Sequence, residues 1–443
     1  MNRRSAGLIV LALALLAVAF LWLEAGTIPW YGLTLVSLFG IKIGFSWRAI
    51  DRKAATEPEI AQLASFRVGT AIPVYNEDPE LLARCLESLL AQTRLPESIA
   101  VIDDCSNDSA AIDVARAMKP AFEAAGVRLL IRQMPVNRGK REALITALDM
   151  QPDIDTMLCV DSDTVLLETA VERLLPAFLD DDTHAATGLV LPLNFDKNLL
   201  TRLTDVRYAN AFLFERAAYS SLGSVLCCCG SLAIYRAALM RKYRDDFLGQ
   251  TFLGQPAVFG DDRRLTNYAL LEGQAKFQST SVAFTAVPER LGHYARQQVR
   301  WSKSFFRESI WAVGHLPTKR PAFWLSAVEL ASWVVFSLAL VISLIVMPVV
   351  VGQLLIVPLL LYVMLLAYAR SARYFEVTGL HRTKSDVFIG FAIAPLYGVF
   401  HVTVLVWLRI YALATLNRGS WGTRKQVEVR AHQPIIQASS GSE

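Results

Sequence analysis

Apolar residues gather into long blocks at both ends of this chain and disperse into short runs in between. Leu8 to Leu23 and Ile28 to Ser46 form two blocks near the start, and Phe323 to Ala369 forms a longer one that divides into two near Met347 and Pro348. Blocks of this length with so few charges are the pattern of helices that cross a bilayer. A last block, Val387 to Leu416, is broken by Pro395 and Gly398. It is too long for one simple span and short for two. It therefore reads as a broken or hairpin element packed among the others, because unwound backbone in a membrane needs protein partners.

Between about Arg67 and Ala286 the pattern changes to short β-branched runs alternating with helical stretches, the form of a mostly parallel α/β sheet. The runs predict strands at Val68 to Val74, Ser98 to Asp103, Val127 to Arg132 and Thr156 to Asp161. Helices fit at Pro79 to Gln92, Ser109 to Ala124 and Gly139 to Met150. Open sheets of this kind bind ligands at the carboxyl ends of their strands, which here read Tyr75-Asn76-Glu77, Asp103-Asp104 and Asp161-Ser162-Asp163. Two further stretches, Leu199 to Ser221 and Pro288 to His315, interleave apolar residues with arginines and predict helices lying in a membrane surface or on the soluble domain.

Composition sharpens this. Hydrophobic residues make up 53% of the 443, and the mean hydropathy is +0.36, high for a soluble protein. Arg3 and Arg4 precede the first block, while Lys42 lies near the end of the second and Arg48, Arg52 and Lys53 follow it, so both flanks are expected on the cytoplasmic side. A secretory leader would share the basic start, but a second apolar block follows at once and no small-x-small cleavage site separates the two. A net charge of +4, concentrated near the ends of apolar blocks, suits lipid headgroups and not nucleic acid. The six cysteines fall in the segment assigned to the reducing cytosol and read as free thiols. The adjacent Cys227, Cys228 and Cys229 cannot all point to one tetrahedral metal.

Several polar clusters could carry chemistry. Asp161 and Asp163 leave a strand end together, where they either cap a turn or offer hard oxygen ligands to Mg²⁺ or Mn²⁺ beside a diphosphate. Asp103 and Asp104 could accept from a uracil ring, with Tyr75 and Glu77 beside base and ribose; helix capping is the alternative for each. Lys140 opens the next helix and could reach phosphates. Asp261 and Asp262, followed by Arg263, supply a second acidic pair, one member of which could take a proton from an attacking hydroxyl. Gln297, Gln298, Arg300 and Trp301 bring amide, guanidinium and indole close together on a helix, suited to phosphate contact and to stacking on a sugar ring, or to anchoring an interfacial helix. Glu329, some two turns into an apolar block, is costly against lipid and should face a polar path or snorkel to the interface.

The order of these motifs resembles the processive family 2 glycosyltransferases, which include cellulose, chitin and hyaluronan synthases. The resemblance runs from Pro73 to Lys425 and is strongest toward bacterial class I hyaluronan synthases. It rests on Phe252-Leu253-Gly254, the segments Gly260 to Asn267 and Arg296 to Ser309, and Trp421-Gly422-Thr423-Arg424-Lys425. It implies a cytoplasmic GT-A (Rossmann-like) α/β glycosyltransferase domain joined to an α-helical transmembrane region with interfacial helices. The expected division is 1–50 for two N-terminal transmembrane helices, 51–287 for the catalytic domain, 288–320 for the interfacial helix, 321–416 for the C-terminal transmembrane region and 417–443 for a cytoplasmic tail. The resemblance further implies UDP-sugar donors, a growing polysaccharide and membrane lipids as partners, a multi-pass protein of the cell membrane with both termini inside, and no need for more than a monomer. By matching positions, Asp104 with Asp103 would meet uridine, Asp161 and Asp163 the metal diphosphate, and Asp262 would act as base. Gln297, Arg300 and Trp301 would form the acceptor and diphosphate site, and Trp421, Thr423 and Arg424 would close over bound UDP. One departure stands out. Where hyaluronan synthases usually read cysteine, cysteine, serine, glycine, proline, leucine, this chain reads Cys227-Cys228-Cys229-Gly230-Ser231-Leu232, beside the expected acceptor sugar. A chitin-type synthase using only UDP-N-acetylglucosamine, or a monosaccharide transferase to a lipid carrier, is the alternative.

Overall fold

A computed structural model describes residues 30–346, 349 and 356–417. Eight strands form one sheet in the order β3-β2-β1-β4-β7-β6-β10-β5. They are β1 (Val68–Val74), β2 (Ser98–Asp103), β3 (Arg128–Gln133), β4 (Thr156–Cys159), β5 (Thr164–Leu166), β6 (Thr183–Pro192), β7 (Ala233–Arg236) and β10 (Gln274–Thr285). A separate hairpin, β8 (Thr251–Phe252) with β9 (Gln255–Pro256), lies outside it. Strands β1 to β4 run parallel, so their carboxyl ends, and the acidic residues that follow them, share one edge. Every residue of β2 is buried, and Ile72, Val101 and Leu158 have no exposed surface, which explains the uninterrupted apolar runs. Each such side chain contributes about 1.5–3 kcal/mol by leaving water.

The expected strands agree with the observed ones closely, with β3 one residue later and β4 ending at Cys159 instead of Asp161. Chain beyond β4 turns outward, which frees Asp161 and Asp163 from the ladder. The sheet is mostly parallel, as the run-and-helix pattern suggested, with antiparallel pairings where β7 meets β4 and β6 and where β5 meets β10. Because Ala233 pairs with Cys159, the loop entering β7 arrives beside the carboxyl end of β4 and carries Gly230 and Ser231 to the acidic edge.

All six cysteines are free thiols. The two stretches expected as surface helices form. One runs Leu199–Ala209, passes through a π-helical turn at Asn210–Arg216 and ends at Ser220; the other is the single helix Leu291–His315. The second buries a polar face, including Gln298, Ser302, Lys303, Arg307 and Glu308, against the α/β domain. Among the described residues two helices are long and apolar enough to cross a membrane, within Pro321–Leu338 and Lys384–Ala414. The expectation of a hairpin or break at Val387 to Leu416 is corrected. Lys384–Phe400, a π-helical turn at His401–Leu405 and Val406–Ala414 follow one another without a loop, and Pro395 sits inside the helix. The π turn re-satisfies backbone locally, so the chain need not reverse. The first apolar block, the split near Met347 and Pro348, and the segment from Trp421 to Lys425 lie outside the described residues.

Candidate active site

The acidic edge of the sheet forms one wall of a cavity of about 1170 Å³. Its lining includes Tyr75, Asp104, Lys140, Asp161, Asp163, Gly230, Ser231, Asp261, Asp262, Arg263, Gln297, Gln298, Arg300 and Trp301. Residues from seven separate stretches of sequence thus converge as expected. Two expected members do not line it. Asp103 is taken up by its own loop, accepting from the Ser106 amide (3.1 Å) and hydroxyl (2.5 Å) and from Gln133 Nε2 (3.2 Å). Glu77 is buried beneath the edge and accepts from the Ser162 hydroxyl at 2.6 Å. Both carboxylates hold the loops that shape the site. Trp421, Thr423 and Arg424 fall outside the described residues.

At the far end of β2, Asp104 accepts from the amides of Arg138 (2.8 Å) and Gly139 (2.7 Å). Burial pushes its carboxyl above the usual range, and the two amides work against that shift. Gly139 has φ +90°, a left-handed geometry that lets the chain present both amides and then enter the helix Lys140–Asp149. Lys140 opens that helix. Its ammonium donates to Asp161 Oδ1 at 2.6 Å and lies 3.5 Å from Asp261 Oδ2. Burial disfavours its charge, but Asp161 and Asp261 outweigh burial and hold its pKa above the ordinary lysine value. The other oxygen of Asp161 accepts from Ser231 at 2.8 Å, and Asp163 accepts from Thr285 at 3.1 Å.

Asp261 and Asp262 occupy the first turn of the helix Asp261–Glu272, where the helix dipole favours negative charge. Gly260 precedes them at φ +90°, and a β-carbon there would stand 2.3 Å from Ser304 Oγ. Glycine allows the helix that begins at Asp261 to approach Leu291–His315 this closely. Asp262 accepts from the Arg263 amide at 2.8 Å and faces Cys227 Sγ at 3.3 Å. Burial, then the neighbouring charge of Asp261, raises its pKa above the usual aspartate value, with Arg263 and Lys140 opposing. A carboxylate tuned upward accepts a proton more readily than an ordinary one.

Trp301 is held from outside the QxxRW segment. Arg207 lies 5.1 Å over its ring and Tyr208 packs at 6.3 Å, both from the Leu199–Ala209 helix. A buried cluster below joins the Trp301 helix to Asp261–Glu272. Glu308 accepts from Gln250 (2.7 Å), Arg264 (2.8 Å) and Arg307 (3.1 Å), while Asn267 donates to the Glu308 carbonyl (3.1 Å). Sequence reasoning missed Arg207, Tyr208, Cys227 and Glu308 as parts of this site. The only signal was their place inside segments already singled out.

Hard carboxylate donors at Asp161 and Asp163 suit a divalent cation, but no group of three or more His, Cys, Asp or Glu side chains gathers as a cage among the described residues. The donor set fits a cation that a diphosphate would help to bind. An acidic strand edge, a lysine and a second aspartate pair surround one cavity in an α/β domain of the GT-A-like glycosyltransferase type. The family described as "Glycosyltransferase like family 2" matches residues 67–304. A hyaluronan synthase of Streptococcus pyogenes is 37% identical over 411 residues, covering 91% of this chain and 92% of that one. An N-acetylglucosaminyltransferase of Rhizobium leguminosarum bv. viciae is 32% identical, covering 82% of each chain. The structure of S. aureus TarS 1-349 in complex with UDP matches with a TM-score of 0.41 and 15% identity, covering 81% of this chain and 93% of that one, too distant to place any residue. This chain belongs to glycosyltransferase family 2.

Proposed function

We propose that this chain is a processive, inverting hyaluronan synthase. It joins N-acetylglucosamine and glucuronate from their UDP donors at the cytoplasmic face of a cell membrane and passes the polymer out through its own helices. The observation that carries this reading is the continuity of the cavity. The space that holds Asp161, Asp163 and Asp262 continues past Trp301 to Glu329, Trp333, Tyr362, Tyr397 and Arg409 on the apolar helices. The outward face of Pro321–Val341 keeps Trp324, Val335 and Leu338 exposed, as a lipid-facing helix would. Glu329 faces the cavity and not the lipid, accepting from Tyr219 and lying 3.6 Å from Lys42. The domain division and the inward placement of both termini belong to the same proposal.

In the reaction, the Asp104 loop and Tyr75 receive the uridine, while Lys140, Asp161 and Asp163 meet the diphosphate. Mg²⁺ or Mn²⁺ bound there with Asp161 and Asp163 would supply positive charge to the departing UDP. The acceptor sugar stacks on Trp301, with Gln297 and Arg300 beside it. Asp262 takes the proton of the acceptor hydroxyl as its oxygen bonds to the anomeric carbon from the side opposite UDP. The bond to UDP breaks, and the electron pair leaves with UDP. The segment Trp421 to Arg424 is assigned to closing over the nucleotide.

The departure at Cys229 and Ser231, together with the likeness to the rhizobial enzyme, favours a second reading: a chitin-type synthase using UDP-N-acetylglucosamine alone. Ser231 donates a hydrogen bond to Asp161, which proline in its place could not do. Product analysis of the purified protein decides between the two. Hyaluronan synthesis requires both donors together and yields polymer cut by hyaluronidase. Polymer formed in full from UDP-N-acetylglucosamine alone would replace the first reading with the second.

A further inference from the structure

Deep in the cavity the charge balance changes sign. Lys42 is paired with Glu329, Arg370 with Glu215, and Arg216 donates to the Cys227 carbonyl at 2.9 Å. Two arginines are left over. Arg207 forms no ion pair among the described residues, and its Nη1 is buried without an acceptor. Its electrostatic neighbours are the phenols of Tyr294, Tyr397 and Tyr208, and Glu215, already engaged by Arg370. Arg409 likewise forms no ion pair among the described residues, with Tyr397, Arg207, Glu215 and Arg370 around it. A guanidinium held in a membrane cavity is costly unless an anion meets it.

Each of these two arginines lies over an indole. Arg207 is 5.1 Å above Trp301, and Arg409 is 5.6 Å above Trp333, farther along the same cavity. An indole face takes the carbon side of a sugar ring, and an adjacent guanidinium takes a carboxylate in bidentate fashion. The combination, used twice along one path, matches a polymer that repeats a ring and a carboxylate. It does not match a neutral one. We infer that Arg207 with Trp301, and Arg409 with Trp333, are subsites for the carboxylates of uronosyl units in the growing chain. This rests on the hyaluronan reading and extends it from catalysis to recognition of the product.

The test is binding to the purified full chain in detergent, with hyaluronan and chitin oligosaccharides of equal length as probes and UDP as a third. Arg207→Gln should weaken the hyaluronan oligosaccharide by about tenfold or more and the chitin oligosaccharide by about threefold or less. Arg207→Lys should recover part of the loss, and Arg409→Gln should act in the same direction. Retained UDP affinity in each variant reports an intact fold. Equal losses for both oligosaccharides would reduce Arg207 to a support for Trp301 and overturn the proposal. A loss confined to UDP would assign the guanidinium to the donor diphosphate and also overturn it. Wild-type product without glucuronate would sink the hyaluronan reading itself. Product containing glucuronate, with undiminished oligosaccharide affinity in Arg207→Gln, would sink this inference alone.

Discussion

The two ends of the cavity are electrostatic opposites. At the sheet edge five aspartates, Asp104, Asp161, Asp163, Asp261 and Asp262, stand against Lys140, Arg138 and Arg263, so negative charge predominates there. Among the apolar helices Arg207, Arg370 and Arg409 share the carboxylate of Glu215, so that region is short of negative charge. The acidic end can take a cation and the phosphates that accompany it; the basic end can take an acid. Trp301 stands between them, touched by Arg207 on one side and lying on the helix that packs against Asp261–Glu272 on the other. The contrast teaches that chemistry and passage are separate tasks, set side by side by one helix.

Breaking the acidic end should have the largest effect. Asp262→Asn removes proton acceptance and should lower elongation by about 10²–10⁴-fold while UDP still binds. Elongation rate and UDP affinity, measured on the same preparation, check it, and near-normal synthesis would remove Asp262 from the role of base. Next is the counter-charge: chelation of divalent cations should stop synthesis, and Mg²⁺ or Mn²⁺ should restore it. Full turnover in excess chelator would mean that Lys140 suffices.

The junction between the two ends is a matter of stability. Glu308→Ala strips Arg264 and Arg307 of a buried partner and should cost about 3–5 kcal/mol, because unpaired buried charge remains. Thermal unfolding of the detergent-solubilised protein reads this directly, and an unchanged melting temperature would show the cluster to be dispensable. The smallest effect is on pH. The proposed base must be a carboxylate to act, and the pKa of Asp262 lies above the ordinary aspartate value, so activity should fall as pH drops through that raised value. Asp261→Asn removes a neighbouring negative charge, lowers the pKa of Asp262, and should move the acid limb of the rate profile to lower pH. A shift to higher pH would contradict the placement of Asp261.

Much of this was legible along the chain, and what was legible shares a cause. Strands β1 and β2 were read to the residue because both faces of a central parallel strand are buried, which writes a continuous apolar run into the sequence. Asp161, Asp163 and Asp262 could be named because polar residues at strand ends and helix starts interrupt such runs at set places, and Trp301 because it closes a polar cluster on an amphipathic helix. What sequence alone determined, then, was the alternation of layers, the apolar blocks and the identity of the reactive groups. Only the tertiary structure decided which polar groups face the cavity. Asp103 and Asp104 are neighbours of the same type, yet loop hydrogen bonds turn one inward and leave the other at the wall. It likewise decided that Val387 to Leu416 runs on as one helix, because a π turn absorbs an interruption that hydropathy reads as a break. And it brought Arg207 over Trp301 and Arg409 over Trp333, pairs separated by long stretches of chain, whose meaning depends on distance in space and on the absence of a counter-charge, neither of which a linear pattern records.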